Sequence, residues 1–187
     1  MKIHLETRRL IMRDLSEQDA LGIFELDAEP EVHTYLGGNP IKTIAEAEKS
    51  IAFIRDQYVK NGIGRWAVIE KKSGAFIGWS GFKFMTDRVN NRTQYYDLGY
   101  RFIKKYWGKG YATETAVASL DYGFNQLKQE EICAMAEVRN LASNRILQKL
   151  GMSKFNEFDY ENVPHNFYTI SKHDWNRSRS AGSVYKT

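Results

Sequence analysis

Residues 97–116 read DLGYRFIKKYWGKGYATETA. Up to Phe102 the pattern alternates, with Leu98, Tyr100 and Phe102 on one face of a strand and Asp97, Gly99 and Arg101 on the other. From Tyr111 onward a helix is expected, because Ala116, Val117, Leu120, Phe124 and Leu127 recur at helical spacing. Between the two lie Gly108 and Gly110, with Lys104, Lys105 and Lys109 around them. A strand that turns through glycines into a helix bares the first amides of that helix. Those amides lack intrahelical acceptors and sit at the positive end of the helix dipole. Glycine also permits positive φ and close approach of a bulky ligand. The stretch is therefore either a tight corner or a cradle for a pyrophosphate.

Familiar phosphate loops do not match these letters. A dinucleotide fingerprint needs a further glycine where Thr113 stands. A P-loop needs Ser or Thr where Gly110 stands and an upstream glycine where Ile103 stands. The run GWSGF (Gly78–Phe82) has Phe82 in place of the last glycine of a nucleophile elbow. A second polar cluster changes the balance. Asn140, Ser143 and Asn144 follow the next strand-like segment, EICAMAEV, at the start of the next helix. Asn140 alone reads as an N-cap. Both helices, however, begin after consecutive strand-like segments, so their N-termini should open on the same sheet edge and could flank one extended ligand.

The rest of the chain supplies the frame. RRLIMRDL (Arg8–Leu15) reads as a first strand, and Ser16 starts a helix through Ala20, Ile23 and Phe24. Thr43 with Glu46 forms a capping box before Ile51, Ile54 and Tyr58, and Gly62 and Gly64 end that helix. Two strands then surround the Lys72-Ser73-Gly74 turn. After the stretch quoted above come one strand, the helix NLASNRILQKLG and two closing strands that run to about Trp175. The order is one strand, two helices, three strands, helix, strand, helix and two strands. That order predicts a mixed α+β fold with a sheet of about seven strands. Residues 1–175 are expected to form one domain and the polar residues 176–187 a flexible tail.

At 187 residues, 42% hydrophobic, the chain is long enough for one sizeable core, and disorder is not the default. Net charge is +4, spread without a run of like charges; a nucleic-acid partner is not demanded, and a small polyanion explains the same excess. Cys133 is the single cysteine, which excludes an internal disulfide and a cysteine zinc cluster. The four histidines, His4, His33, His165 and His173, show no metal-ligand spacing. The charged start MKIHLETRRL does not read as a signal peptide, and no apolar run reaches membrane-spanning length. A cytoplasmic location without membrane or metal is the expectation.

Taken in order, DLGYRFIKKYWGKGYATETA, one helix, one strand and then NLASNRILQKLGM resemble the GNAT superfamily of acyl-CoA-dependent N-acyltransferases. The branch with the ribosomal-protein N-terminal (RimJ/RimL-like) acetyltransferases is the most similar, and the resemblance runs from LETRRLIMRDL to FYTISKHDW. It implies a mostly antiparallel twisted sheet flanked by helices and splayed at the acyl-CoA site, with acetyl-CoA as co-substrate. The family's phosphate-loop pattern falls on Lys105, Gly108 and Gly110, with lysine where glutamine or arginine is usual. By this resemblance, Lys105, Gly108, Lys109, Gly110, Tyr111, Ala112 and Thr113 hold the pyrophosphate. The strand end at Phe102 and Ile103 pairs with the pantetheine arm, and Asn140 and Ser143 line the thioester side, with the cofactor-binding candidates Asn144 and Lys149 nearby on the same helix.

The implied reaction is direct attack of a neutral primary amine on a thioester, without a covalent enzyme intermediate. Amines with reference pKa values of ~8 to ~10.4 are mostly protonated at neutral pH, so a base is needed. A donor for the thioester oxygen and one for the departing thiolate are needed too. Asp97 is the candidate base, directly or through water; it could equally orient the substrate ammonium or pair with Arg101. A backbone amide near Ile103 is the expected oxyanion donor. The tyrosine that many members place on the last helix as acid falls on Leu147, which leaves Ser143 as the catalytic candidate on the sulfur side. His33, Tyr35 and the LGGNP loop (Leu36–Pro40) are expected to shape the acceptor cleft, with His165 a weaker substrate-side candidate. The acceptor is a small amine or a protein N-terminus, and the enzyme a monomer or homodimer. A different class matches the same letters: a non-catalytic CoA-binding or regulatory module, favoured by Leu147 and the short Asp97. A basic nucleic-acid-binding domain has no motif to support it.

Overall fold

The computed structural model describes residues 2–180, whose strands join in one eight-stranded sheet. In chain order the elements are β1 (Ile3–Glu6), β2 (Leu10–Arg13), α1 (Ala20–Asp27), α2 (Ile44–Asn61), β3 (Arg65–Glu70), β4 (Phe76–Met85), β5 (Tyr95–Phe102), α3 (Tyr111–Asn125), β6 (Glu131–Glu137), α4 (Leu141–Lys149), β7 (Ser153–Tyr160), β8 (Val163–Ser171) and α5 (Lys172–Ser180). The sheet order is β1-β2-β3-β4-β5-β6-β8-β7. All pairs are antiparallel except β5 with β6.

Period-2 alternation decides what each face buries. Trp66, Val68, Phe82, Leu98, Phe102, Ile132, Ala134, Tyr168 and Ile170 point to one face, against Val117, Leu120 and Phe124 of α3 and Leu147 of α4. Gly123 lets α3 come close, since a Cβ there would lie 2.6 Å from Ile132 Cδ1. On the other face Ala67 and Ile103 meet Ile23 and Leu26 of α1 and Ile51 of α2. The Thr43–Glu46 capping box starts α2, and Gly62 at φ +69° ends it. Both signals were readable in the letters.

Two departures from the sequence reading stand at the chain ends. The sheet has eight strands rather than seven, because Ile3–Glu6, masked by its charged neighbours, pairs with β2. The polar segment expected to fray after Trp175 continues as helix α5 to Ser180. Trp175, only 2% exposed, anchors that helix by donating from Nε1 to Asp121 Oδ1 at 2.8 Å. Residues 181–187 of the expected tail lie outside the described residues.

One feature of the sheet positions the site. β6 aligns with β8 over seven positions, yet β5 and β6 meet only at Asp97 opposite Cys133. Beyond that pair the strands part, and the gap opens toward the starts of α3 and α4.

Candidate active site

Gly108 and Gly110 both adopt left-handed φ, +72° and +79°, and Gly110 is the N-cap of α3 without a side-chain cap. A Cβ on Gly108 would meet nothing within 4 Å, and one on Gly110 only Arg9 Nη2 at 3.6 Å. Glycine is required here for conformation, not for space, and the turn faces outward. The amides of Tyr111, Ala112 and Thr113 open α3 and lack intrahelical acceptors. The one carboxylate of this first turn, Glu114, is drawn aside by Thr7 Oγ1 at 2.5 Å and Arg9 Nε at 2.6 Å. Burial pushes Glu114 up, but those donors outweigh it and hold the carboxyl below its ordinary range. Arg9 also stacks over the Tyr111 ring at 4.4 Å. It is a cation beside the cradle that sequence spacing did not single out.

The lysines are divided. Lys104 pairs with Glu31 at 2.5 Å and Lys105 with Glu25 at 2.7 Å, so both are neutralised by the α1 side of the molecule. Lys109 stays at the turn, with Nζ 4.8 Å from the Tyr106 ring centre. The structure therefore gives Lys105, read as part of the phosphate pattern, a carboxylate partner on α1 instead.

On the β5 edge, Ile103 N donates to Ile77 O at 3.0 Å. The donor expected near Ile103 is thus not the Ile103 amide itself. Antiparallel alternation then turns the amides of Tyr100 and Phe102 away from β4 and toward the gap. The Phe102 carbonyl, on the same side, accepts from Trp107 Nε1 at 2.7 Å.

Across the gap, Asn140 caps α4 by accepting from Ser143 N at 3.1 Å. Tyr100, on the β5 face toward α4, donates from its hydroxyl to the Ser143 carbonyl at 3.4 Å. The letters marked Tyr100 only as a face residue. Asn144 has a different task from the ligand contact expected of it. Its Nδ2 donates to the Glu137 and Asn140 carbonyls, and its Oδ1 accepts from Asn166 Nδ2 at 2.7 Å and Tyr168 Oη at 2.8 Å. With its amide fully engaged, Asn144 clamps α4 to β6 and β8. Lys149, expected near the cofactor, ends α4 about 13 Å of helix rise from Asn140 and so stands away from the helix start that faces the gap.

Asp97 lies on the opposite face of β5, 5% exposed. Its partner is Arg65, not Arg101: Nη2 reaches Oδ2 at 2.6 Å, while Nη1 donates to the Asp97 and Gly81 carbonyls. Burial pushes the Asp97 carboxyl above its ordinary value, against the downward pull of Arg65. Arg101 instead pairs with Asp27 of α1 at 2.6 Å, and both guanidiniums approach the Trp79 ring, Arg65 at 5.4 Å and Arg101 at 5.1 Å. His33 approaches Asp27 Oδ1 at 3.8 Å, and both of its buried ring nitrogens lack a hydrogen bond among the described residues. Burial first, and then Arg101, lower its pKa and favour the neutral imidazole. Among the described residues no group of three His, Cys, Asp or Glu side chains could hold a metal, and no helix is long and apolar enough to cross a membrane.

Comparison with known proteins identifies the family and the fold. Residues 9–153 match the family described as "Acetyltransferase (GNAT) domain". The chain is 33% identical over 175 residues to "Uncharacterized N-acetyltransferase YoaA" of Bacillus subtilis (strain 168), covering 90% of this chain and 96% of that one. Its structure resembles the GNAT-family acetyltransferase from Bacillus anthracis, with TM-score 0.74, 26% identity, and coverage of 92% of this chain and 99% of that one. The ribosomal-protein-S5-alanine acetyltransferase from Vibrio fischeri shares the fold, with TM-score 0.73 at 19% identity, over 93% of this chain and 99% of that one.

Proposed function

The chain belongs to the GNAT acetyltransferase family, and on that premise we propose that it is an acetyl-CoA-dependent N-acetyltransferase acting on a primary amine. The observation that carries the reading is the gap between β5 and β6. On one side it ends at the glycine turn and open amides of α3, and on the other at the capped start of α4. The first has the chemistry of a diphosphate site: unpaired amides, left-handed glycines and the cations Arg9 and Lys109 nearby. The edge between offers the Tyr100 and Phe102 amides, the pairing that an extended amide-bearing arm needs. Acetyl-CoA supplies the diphosphate, that arm and the thioester.

In this reading the Phe102 amide, nearer the glycine turn, pairs with the arm, and the Tyr100 amide stabilises negative charge on the thioester oxygen. Ser143 and the Tyr100 hydroxyl stand on the sulfur side as hydrogen-bond donors. Asp97 takes the ammonium proton, with burial raising its affinity for a proton toward the working range. A protein N-terminal α-amine is one acceptor of this class. Thiol release from acetyl-CoA, measured against a panel of amines and N-terminal peptides, tests the reading. Turnover with any of them supports it. Protection by acetyl-CoA against thermal unfolding without turnover points instead to a CoA-binding module. That second reading is favoured by Leu147, which is buried in the core and can donate no proton to a departing thiolate. Failure to bind acetyl-CoA sinks both.

A further inference from the structure

The sheet face that carries Asp97 is covered by α1 and α2 over β3 and β4, but its other half holds a separate aromatic group. Phe167 is fully buried yet belongs to neither helix-backed core. Its ring neighbours come from strands: Tyr95 at 5.8 Å, Phe158 at 5.7 Å and Phe155 at 6.4 Å. His165 and Tyr160 extend the row, 5.6 Å apart, beside Phe158. The β6–β8 register sets His165 opposite Glu137 and Phe167 opposite Met135, so the row runs along the strand that borders the gap. The Tyr95 hydroxyl is buried with no hydrogen-bond partner among the described residues. Burial and then the Asp97 charge push the Tyr95 phenol up, and burial, Glu161 and then Asp97 do the same to Tyr160.

Resting on the acetyltransferase reading, we infer that this face receives the acceptor and selects an amine attached to an aromatic or large apolar group, rather than a polyamine. An amine must reach the gap from this side, because α3 and α4 occupy the other face. Charge then separates the acceptor classes. Three carboxylates beneath the row are each held by an arginine: Asp97 by Arg65 at 2.6 Å, Glu137 by Arg139 at 2.6 Å and Glu131 by Arg92 at 2.5 Å. The exposed Asp87 and Glu161 act on the Tyr160 phenol and so border that end of the row, where they draw in an ammonium. Along the rest of the row a further ammonium finds only the arginine-held carboxylates. An apolar group finds the exposed ring of Phe155 and the half-buried rings of Phe158 and Tyr160, with Arg92 stacked over Phe155 at 4.7 Å as a further flat surface.

Three probes decide the matter: phenethylamine, a tripeptide beginning with phenylalanine, and spermidine. The expected result is a kcat/KM for the aryl amine and the peptide at least about ten-fold above that for spermidine. Phe158→Ala should raise KM for the two aromatic probes about ten-fold and leave acetyl-CoA affinity unchanged. Phe155→Ser, at a ring already 58% exposed, is the variant that spares the fold and should act in the same direction. Preference for spermidine, or equal effects of the variants on all three probes, overturns the inference while leaving the transferase intact. So does a dimer that falls apart in Phe155→Ser with KM unchanged, which would mean that a second copy covers the face. Acetyl-CoA binding with no thiol release for any probe removes the transferase reading along with it.

Discussion

Arg65 reaches Asp97 across β4, with Nη2 at 2.6 Å from Oδ2, through a space that exists because residue 99 is glycine. A Cβ there would sit 2.6 Å from the same nitrogen. Gly81, the register partner of both Arg65 and Gly99, lends its carbonyl to the guanidinium as well. Arg65→Met leaves a buried carboxylate and two carbonyls without their donor, and the expected loss is about 3–5 kcal/mol at neutral pH, read from urea midpoints. The pH dependence has a definite sign. Burial raises the folded-state pKa of Asp97, and more so without Arg65. Stability tied to a raised carboxyl is fully present below the unfolded value of ~4 and is lost as pH rises through the folded value. The deficit of Arg65→Met against the wild type should therefore shrink as pH falls toward ~4. A deficit that is constant or grows on acidification would mean that Asp97 is not the group responsible.

Asp97→Asn separates catalysis from this structural pairing. The amide keeps an acceptor for Arg65, so the fold should survive with a modest fall in melting temperature. If Asp97 takes the ammonium proton, kcat falls about 100-fold or more and the acidic limb of the kcat profile disappears. A variant that loses melting temperature but keeps the limb assigns Asp97 to structure alone.

At the cradle, Gly110→Ala tests conformation without crowding. The added methyl would touch only Arg9 Nη2 at 3.6 Å, an ordinary contact, but φ of +79° costs a non-glycine residue about 1 kcal/mol. Acetyl-CoA affinity should drop several-fold as the turn relaxes, with little change in unfolding midpoint. Calorimetric titration reads it, and an unchanged affinity would take the diphosphate away from this turn.

Asn144→Ala should do the reverse. It strands the buried amide of Asn166, the hydroxyl of Tyr168 and the Glu137 carbonyl, an expected loss of about 2–4 kcal/mol in stability. Affinity of the folded protein for acetyl-CoA should not change. A selective loss of affinity would return Asn144 to the ligand.

These contrasts mark what the letters could and could not carry. Local signals survived into the structure because they are local. The Thr43 box, the Gly108–Gly110 turn, the Asn140 cap and the alternation from Asp97 to Phe102 each depend on residues within one turn or one strand. The partner of Asp97 did not, because Arg65 is 32 positions away and the pairing follows from sheet order. Arg9 beside Gly110 was invisible for the same reason. The expectation of an amide near Ile103 could not name the residue, because in a strand one position is the difference between an amide that faces β4 and one that faces the gap. Asn144 carries a side chain suited equally to a ligand and to a clamp, and only the positions of Asn166 and Tyr168 decide between them.

The sulfur side offers the sharpest separation of binding from turnover. Ser143 opens α4, and the Tyr100 hydroxyl lies 3.4 Å from the Ser143 carbonyl, at the long limit of a hydrogen bond. A donor held this loosely is free to exchange its partner for a stronger acceptor, and a developing thiolate is one. Burial pushes the Tyr100 phenol well above its ordinary range, so it stays protonated and acts by hydrogen bonding. Ser143→Ala and Tyr100→Phe should each lower kcat about ten-fold while KM for acetyl-CoA stays nearly constant, since both interactions strengthen only as charge reaches sulfur. If the two donors share that charge, the double variant should lose less than the product of the single effects. Product binding gives a readout independent of turnover. The thiol of bound CoA, titrated by its thiolate absorbance, should have a pKa about one unit higher in Tyr100→Phe than in the wild type. An unchanged thiol titration with unchanged kcat in both variants would remove Tyr100 and Ser143 from the reaction.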